Sequence, residues 1–167
     1  MKEKSPERKP TRLKYFDYST PGVYFITICT KDRKQLLSEI IVGDGVLDVP
    51  QNMLTDYGRI ADKYINQINE FYGHISVDKY VIMPNHVHFI LSIENAENGT
   101  SRTPSPTNSE ISKFVSTFKR FCNKEYGANI WQRSFHDHII RNQKDYEKIW
   151  KYIDGNVLNW EKDCFYD

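Results

Sequence analysis

Two histidines separated by one residue are the strongest chemical feature of the chain. His86 and His88 flank Val87 in a segment whose composition predicts a β-strand. Because side chains alternate between the faces of a strand, both imidazoles would project from the same face. Imidazole is a common ligand of transition metals, so the pair predicts a site for a divalent ion. The structural alternative is two strand histidines held by local hydrogen bonds.

A second pair, His136 and His138, has the same spacing in a later predicted strand. Four imidazoles are enough for a zinc site made of protein ligands alone. The competing interpretation is therefore a zinc-stabilised domain, or a metal-dependent hydrolase, that uses both pairs.

The last predicted helix, residues 142–156, carries a tyrosine that core packing does not explain. Tyr152 lies roughly 110° around the helix from the centre of the apolar stripe, and Asn156 follows it one turn later. The stripe is complete without Tyr152, since four residues at helical spacing define it: Tyr146, Ile149, Trp150 and Ile153. Tyr152 is therefore a candidate for chemistry, whereas Tyr146 is expected to pack.

Basic side chains are concentrated in two parts of the sequence. Residues 1–14 have a net charge of +4 and two prolines, which predicts a basic arm. The second concentration is the polar face of a helix predicted at 109–126. The candidates for phosphate contact are Arg12, Lys14, Lys113, Lys119, Arg120 and Lys124. An ordinary solvated surface is the alternative for both regions.

The hydrophobic pattern predicts the elements that must bring these residues together. Strands are expected at 23–29, 75–83, 86–93 and 135–140, helices at 55–72, 109–126 and 142–156, and a weak hairpin pairs 39–42 with 46–49. This order contains the β-α-β-β-α-β core of a ferredoxin-like fold, so the fold class is α+β. We expect an antiparallel sheet with helices on one face, plus the helix that carries Tyr152. Residues 94–108 are polar and predict a mobile linker.

Length and composition limit the class of protein. The 167 residues suit one domain, and the net charge of +1 argues against non-specific coating of duplex DNA. The three cysteines form no Cys-x-x-Cys pair, which argues against a disulfide framework and fits a reducing compartment. No apolar run approaches the roughly 18 residues of a membrane span. The sequence therefore predicts a cytoplasmic protein with no membrane partner.

Several blocks of the chain resemble the single-tyrosine HUH transposases, which include the REP-associated tyrosine transposases. The block YVIMPNHVHFIL at 80–91 is similar to the family's histidine motif, in which a hydrophobic residue separates two histidines. The segments 12–27 and 130–142 and the pair Phe118-Lys119 are also similar, and YIDGN at 152–156 matches the family's Tyr-x-x-x-Asn helix. Val157 stands where these proteins usually have proline, a change expected to affect only how the helix ends.

The resemblance implies an enzyme that cleaves and rejoins single-stranded or hairpin DNA. In the family pattern, Tyr152 is the nucleophile that forms a covalent phosphotyrosine. His86, His88 and Asn156 would bind Mg²⁺ or Mn²⁺. A hairpin-binding regulator that has lost catalysis is the alternative. The sequence leaves open whether Tyr152 acts within its own subunit or across a homodimer.

Overall fold

The structure, a computed structural model, describes residues 20–43, 49–94 and 109–166. The strands of this part are β1 (Gly22–Cys29), β2 (Ser38–Ile41), β3 (Gln51–Leu54), β4 (Ile75–Met83), β5 (His86–Ile93) and β6 (His136–Ile140). The helices are α1 (Asp56–Asn66), α2 (Ile68–Phe71), α3 (Glu110–Tyr126) and α4 (Gln143–Gly155). Short 3-10 turns follow β1 at Lys31–Arg33 and α4 at Trp160–Lys162.

The main sheet has the strand order β4-β5-β1-β6, and all of its neighbours are antiparallel. Two central strands therefore lie between two edge strands, as expected for the predicted ferredoxin-like core. The predicted α+β class is confirmed. In the register of β1 and β5, Thr27 lies opposite His88 and Cys29 lies opposite His86.

Both faces of the central strands are covered by helices. On one face, α1, α2 and α3 bury a large cluster that includes Phe89, Phe114 and Phe118. On the other face, α4 packs Ile149 and Ile153 against Ile90 of β5 and Ile140 of β6. Each large apolar side chain buried in this way stabilises the fold by about 1.5–3 kcal/mol. Side chains two residues apart in a strand lie on the same face, so His86, His88 and Ile90 share one face of β5. Helix α4 packs on Ile90 and therefore also faces the two histidines.

Polar caps set the helix ends where the sequence predicts them. The Ser109 hydroxyl accepts a hydrogen bond from the Ser112 amide at 3.2 Å, and Gly127 ends α3 with a φ of 72°. Asn142 Oδ1 accepts from the Asp145 amide at 2.9 Å and so fixes the first turn of α4. This cap determines the rotational phase with which α4 presents Tyr152.

Two predicted elements differ from the structure. Strand β2 pairs with Gln51–Leu54 rather than with 46–49, because Asn52 Nδ2 donates to the Ile82 carbonyl at 2.7 Å and holds β3 beside β4. Residues 44–48 lie outside the described part of the chain. The helix predicted over 55–72 is interrupted at Gln67, and Ile68 is still buried after the break, so α1 and α2 both keep an apolar side toward the sheet.

Two other sequence predictions lie outside the described residues. They are the basic arm 1–14, which includes Arg12 and Lys14, and the predicted linker 94–108 apart from Glu94. Among the residues that the structure describes, no helix is long and apolar enough to cross a membrane.

Candidate active site

The two histidines of β5 form the buried centre of the site. His86 is 0% and His88 is 1% exposed, and their Nε2 atoms lie 3.0 Å apart. The period of two in β5 therefore brings both imidazoles to the face that α4 covers. Burial disfavours the charged imidazolium and lowers the pKa of His86 to about 4, and it also lowers the pKa of His88. Both rings are therefore neutral at pH 7, the form that binds metals.

The Nδ1 atoms contact Asn85 and Thr27, so the Nε2 atoms face each other in the cluster and are the nitrogens available to a metal ion. The Asn85 amide donates to the Phe165 carbonyl, so its Oδ1, 2.8 Å from His86 Nδ1, accepts from that ring. His86 Nε2 consequently carries a lone pair. His88 Nδ1 lies 2.8 Å from the Thr27 hydroxyl, which can donate or accept. Either neutral tautomer of His88 can therefore keep its hydrogen bond to Thr27.

Helix α4 brings Tyr152 and Asn156 to these rings. The Tyr152 hydroxyl lies 3.2 Å from His88 Nε2, and the residue as a whole is 40% exposed. Asn156 is 2% exposed, and its Oδ1 has no hydrogen-bond partner among the described residues. A buried polar oxygen without a partner is costly, and this one lies in a cluster of metal-binding groups.

Asp163, which the sequence analysis did not identify, completes the cluster. It follows α4 in an irregular segment, and its Oδ2 accepts hydrogen bonds from the Tyr152 hydroxyl at 2.9 Å and from Asn156 Nδ2 at 2.8 Å. Burial and the Asp163 carboxylate raise the pKa of Tyr152. No periodicity marks a residue in such a segment. The available signal was an acidic residue seven positions after Asn156 among aromatic neighbours.

The donor set fits a divalent metal ion. Ligand atoms of His86, His88 and Asp163 all lie within 4.8 Å of one another. Two neutral imidazoles together with oxygen donors suit Mn²⁺ and later divalent metals, and the carboxylate supplies negative charge. The unpartnered Asn156 Oδ1 is a further oxygen beside this group.

The four-histidine zinc site is not formed. The metal-binding group found among the described residues contains neither His136 nor His138. His138 Nε2 instead lies 2.8 Å from Asp145 Oδ2 and is half exposed. His136 lies opposite Thr27 in the register of β1 and β6, and Thr27 separates it from His88. Equal spacing in the sequence therefore does not give equal roles, because β6 is an edge strand.

A basic groove of about 1190 Å³ lies between α3 and the loop that precedes β6. Five basic side chains and one acidic side chain line it: Lys31, Lys119, Arg120, Lys124, Arg133 and Asp32. In the wall of the groove, the main-chain amide of Gln132 donates to the Cys29 carbonyl at 2.9 Å, and Cys29 lies opposite His86 in the register of β1 and β5. The lining of the groove contains none of the residues of the metal-binding cluster, because α3 and the histidines lie on opposite faces of the sheet.

Three of the predicted phosphate-binding residues line this groove, and one does not. Arg120 and Lys124 are exposed there, whereas the Lys119 ammonium donates to the Gln132 and Ser134 carbonyls at 2.7 and 2.9 Å. Lys113, nearer the start of α3, is outside the lining and pairs with Glu110 at 2.7 Å.

Comparison with known proteins shows what this chain is similar to. The chain is 33% identical over 174 positions to an uncharacterized protein of Haemophilus influenzae, with 95% of this chain and 93% of that protein covered. It is 28% identical over 146 positions to a protein of the same organism named "Putative REP-associated tyrosine transposase", with 85% of this chain and 73% of that protein covered. The chain is therefore similar to a REP-associated tyrosine transposase over most of its length.

The fold agrees with this similarity. A solved structure of a REP-associated tyrosine transposase bound to a REP hairpin superposes with a TM-score of 0.61 at 22% identity, covering 89% of this chain and 74% of that chain. No protein-family model matches the chain. The resemblance that the sequence blocks indicate is confirmed, and a REP-associated tyrosine transposase fold surrounds the cluster of His86, His88, Tyr152, Asn156 and Asp163.

Proposed function

We propose that this protein is a DNA strand-transfer enzyme that cleaves and rejoins single-stranded DNA beside a hairpin, with Tyr152 as the nucleophile. The observation that supports the proposal is the position of the Tyr152 hydroxyl, 3.2 Å from His88 Nε2, on a residue that is 40% exposed. A phenol at the rim of a buried metal-binding cluster is suited to attack an anionic phosphodiester. Similarity to a protein named "Putative REP-associated tyrosine transposase" supports the same proposal.

The proposed reaction exchanges one phosphorus–oxygen bond for another. The O–H bond of Tyr152 breaks, and a bond forms between its oxygen and the scissile phosphorus. The bond from phosphorus to the 3′ oxygen of the DNA breaks, and that oxygen takes up the proton and leaves as a hydroxyl. The protein then carries a 5′-phosphotyrosine, which conserves the bond energy, so a second 3′-hydroxyl can reverse the step without ATP.

His86, His88 and Asn156 are proposed to hold a divalent ion, Mg²⁺ or Mn²⁺. When bound, the ion supplies Lewis-acid polarisation of the phosphate. The chain's own part is positional. Asn85 and Thr27 orient the two imidazoles through their Nδ1 atoms, and the turn at Asn142 sets the phase of α4. These contacts hold the ligands and the nucleophile in one geometry, which lowers the entropic cost of the reaction.

The basic groove is proposed to bind the phosphates of the hairpin. Its five cations would offset backbone charge, and one DNA molecule would have to extend from the groove on the α3 side to Tyr152 on α4. Because such an enzyme acts where the chromosome lies, the cytoplasmic placement expected from the sequence is part of this proposal.

The decisive experiment is the capture of a covalent protein–DNA adduct. A pool of hairpin-bearing single strands with randomised flanks is incubated with the protein and Mn²⁺, and adducts are separated by denaturing gel and sequenced. We expect adducts with single strands and none with fully paired duplexes of the same sequences. Tyr152→Phe should abolish the adduct and retain DNA binding, with a change in unfolding free energy within about 1 kcal/mol.

Tyr146→Phe is the matched control, because Tyr146 lies on the same helix and its hydroxyl donates to Asp78 at 3.2 Å, away from the histidines. This variant should form adducts at the parental level. An adduct formed by the Tyr152→Phe protein would refute the proposed nucleophile. Hairpin binding by the parental protein without any adduct would instead favour a non-catalytic regulator.

A further inference from the structure

We propose that Asp163 is a metal ligand in addition to His86, His88 and Asn156, so that this protein binds a divalent cation in the absence of DNA. The inference rests on the proposed function, because it concerns the same metal site. It goes further in assigning a ligand from outside α4 and β5. With four protein groups, the ion would not depend on a DNA phosphate to be held.

The two oxygens of Asp163 have different surroundings. Oδ1 accepts a hydrogen bond from the Phe165 amide at 2.8 Å and closes a local turn. Oδ2 points into the cluster, where it accepts from Tyr152 and Asn156. The local turn therefore uses only one oxygen, and the second is directed toward the two imidazoles.

The charges around Asp163 leave it without a cationic partner. In the described part of the chain, no Lys or Arg forms an ion pair with it. Ligand atoms of His86, His88 and Asp163 lie within 4.8 Å of one another, which is a favourable environment for a cation. Asn156, itself 2% exposed, donates through Nδ2 to Asp163 Oδ2, and its buried Oδ1, without a partner among the described residues, is a further oxygen donor.

The segment that carries Asp163 is attached to the site by specific contacts. Asn85, which is 0% exposed, orients His86 through Oδ1 and donates through Nδ2 to the Phe165 carbonyl at 2.7 Å. The Phe165 ring packs 4.7 Å from the His86 ring, and Trp160 is buried near it at 5.9 Å. One buried amide thus links a histidine ligand to the segment of Asp163, which keeps the carboxylate in place.

The test is a titration of the full chain with MnCl₂ without DNA, followed by calorimetry and by loss of the free Mn²⁺ signal in electron paramagnetic resonance. We expect one site in the parental protein. Asp163→Asn should weaken Mn²⁺ binding by about ten- to a hundredfold, since it removes the charged oxygen and keeps an acceptor for the Phe165 amide. Glu161→Gln, an exposed carboxylate in the same segment, is the matched control and should bind within twofold of the parent.

His86→Ala separates the two hypotheses. If His86→Ala abolishes Mn²⁺ binding and Asp163→Asn binds as the parent does, the assignment of Asp163 is wrong and the proposed metal site stands. If the parental protein binds no Mn²⁺ at all without DNA, the inference is refuted, and adduct formation in the presence of DNA then decides the proposed function. Thermal unfolding of each variant without metal verifies that the fold is retained.

Discussion

Lys119 shows how a single side chain can serve both packing and charge. Its ammonium donates to two carbonyls of the loop before β6, and burial lowers its pKa to about 8. The folded protein therefore releases this proton more readily than the unfolded chain, in which a lysine has a pKa of about 10.4. The Lys119 ammonium stays charged at neutral pH although burial is unfavourable, because it donates hydrogen bonds to the Gln132 and Ser134 carbonyls.

This depressed pKa predicts a rise of stability with pH. Between about pH 8 and 10.4 the unfolded state binds more protons than the folded state, so the unfolding free energy increases as pH rises through this window. The Lys119→Met protein lacks this titration and keeps all the others. We expect the unfolding free energy of the parent, relative to Lys119→Met, to increase by about 1–2 kcal/mol between pH 7 and 9.5 in urea titrations. A constant or falling difference would contradict the lowered pKa.

The site residues that the sequence identified all lie in regular elements. Spacing grouped His86 with His88 on a strand and Tyr152 with Asn156 on a helix, and the family resemblance joined the two pairs in one site. Asp163 could not be grouped in this way, because its position depends on a hydrogen bond from Asn85 to the Phe165 carbonyl, a contact between residues 80 positions apart. The functional roles of these residues remain predictions.

Helix α1 approaches the chain before β2 so closely that only glycine fits at one position. A Cβ on Gly58 would lie 2.0 Å from the Leu37 carbonyl oxygen, which also accepts from the Thr55 amide at 3.0 Å. Gly73, which follows α2, has open space around it. The close approach at Gly58 seats the β2–β3 hairpin against the start of α1.

Alanine at these two glycines should therefore have opposite outcomes. Gly58→Ala should lower the unfolding free energy by about 1–3 kcal/mol, because the backbone must move although alanine is the better helix former. Gly73→Ala should change it by less than about 0.5 kcal/mol. Urea denaturation of both proteins measures the difference. Equal stabilities would show that α1 can shift without cost.

The main elements could be predicted from sequence because their signals are local. Ser109, Gly127 and Asn142 mark helix ends through caps that involve only neighbouring residues. The β2–β3 hairpin was wrong in register because its partner is chosen by a contact across the fold, from Asn52 to the Ile82 carbonyl. The glycine-containing turn at 43–45 indicated a hairpin but not which residues would pair.

At the scale of the whole molecule, a nearly neutral protein has one groove whose charged side chains are mostly basic. The five basic residues of the groove face a single acidic residue, although the complete sequence has 23 basic and 22 acidic side chains. Such an asymmetric distribution attracts a polyanion to one surface without a large net charge. Composition alone could not show this, because the groove joins α3 to a loop and to the turn after β1.

The salt dependence of DNA binding tests the groove. The triple variant Arg120→Ala, Lys124→Ala and Arg133→Ala should bind hairpin DNA more weakly and reduce the slope of log affinity against log salt by about 2–3, since three fewer counterions are released. Lys113→Ala, which removes a cation of α3 already paired with Glu110, should leave the slope nearly unchanged. Fluorescence anisotropy at several salt concentrations gives both slopes. An unchanged slope in the triple variant would show that these three side chains do not contact DNA phosphates.

Because both faces of β5 are buried, this strand should tolerate few substitutions. Seven of its eight residues are buried, with core residues such as Phe89 on one face and His86 and His88 on the other. The edge strand β4 has three buried positions among nine. In a saturation library selected for folded protein, β5 should therefore accept few substitutions at any position. Strand β4 should accept many, so divergence among descendants of this sequence is expected to accumulate at the sheet edge.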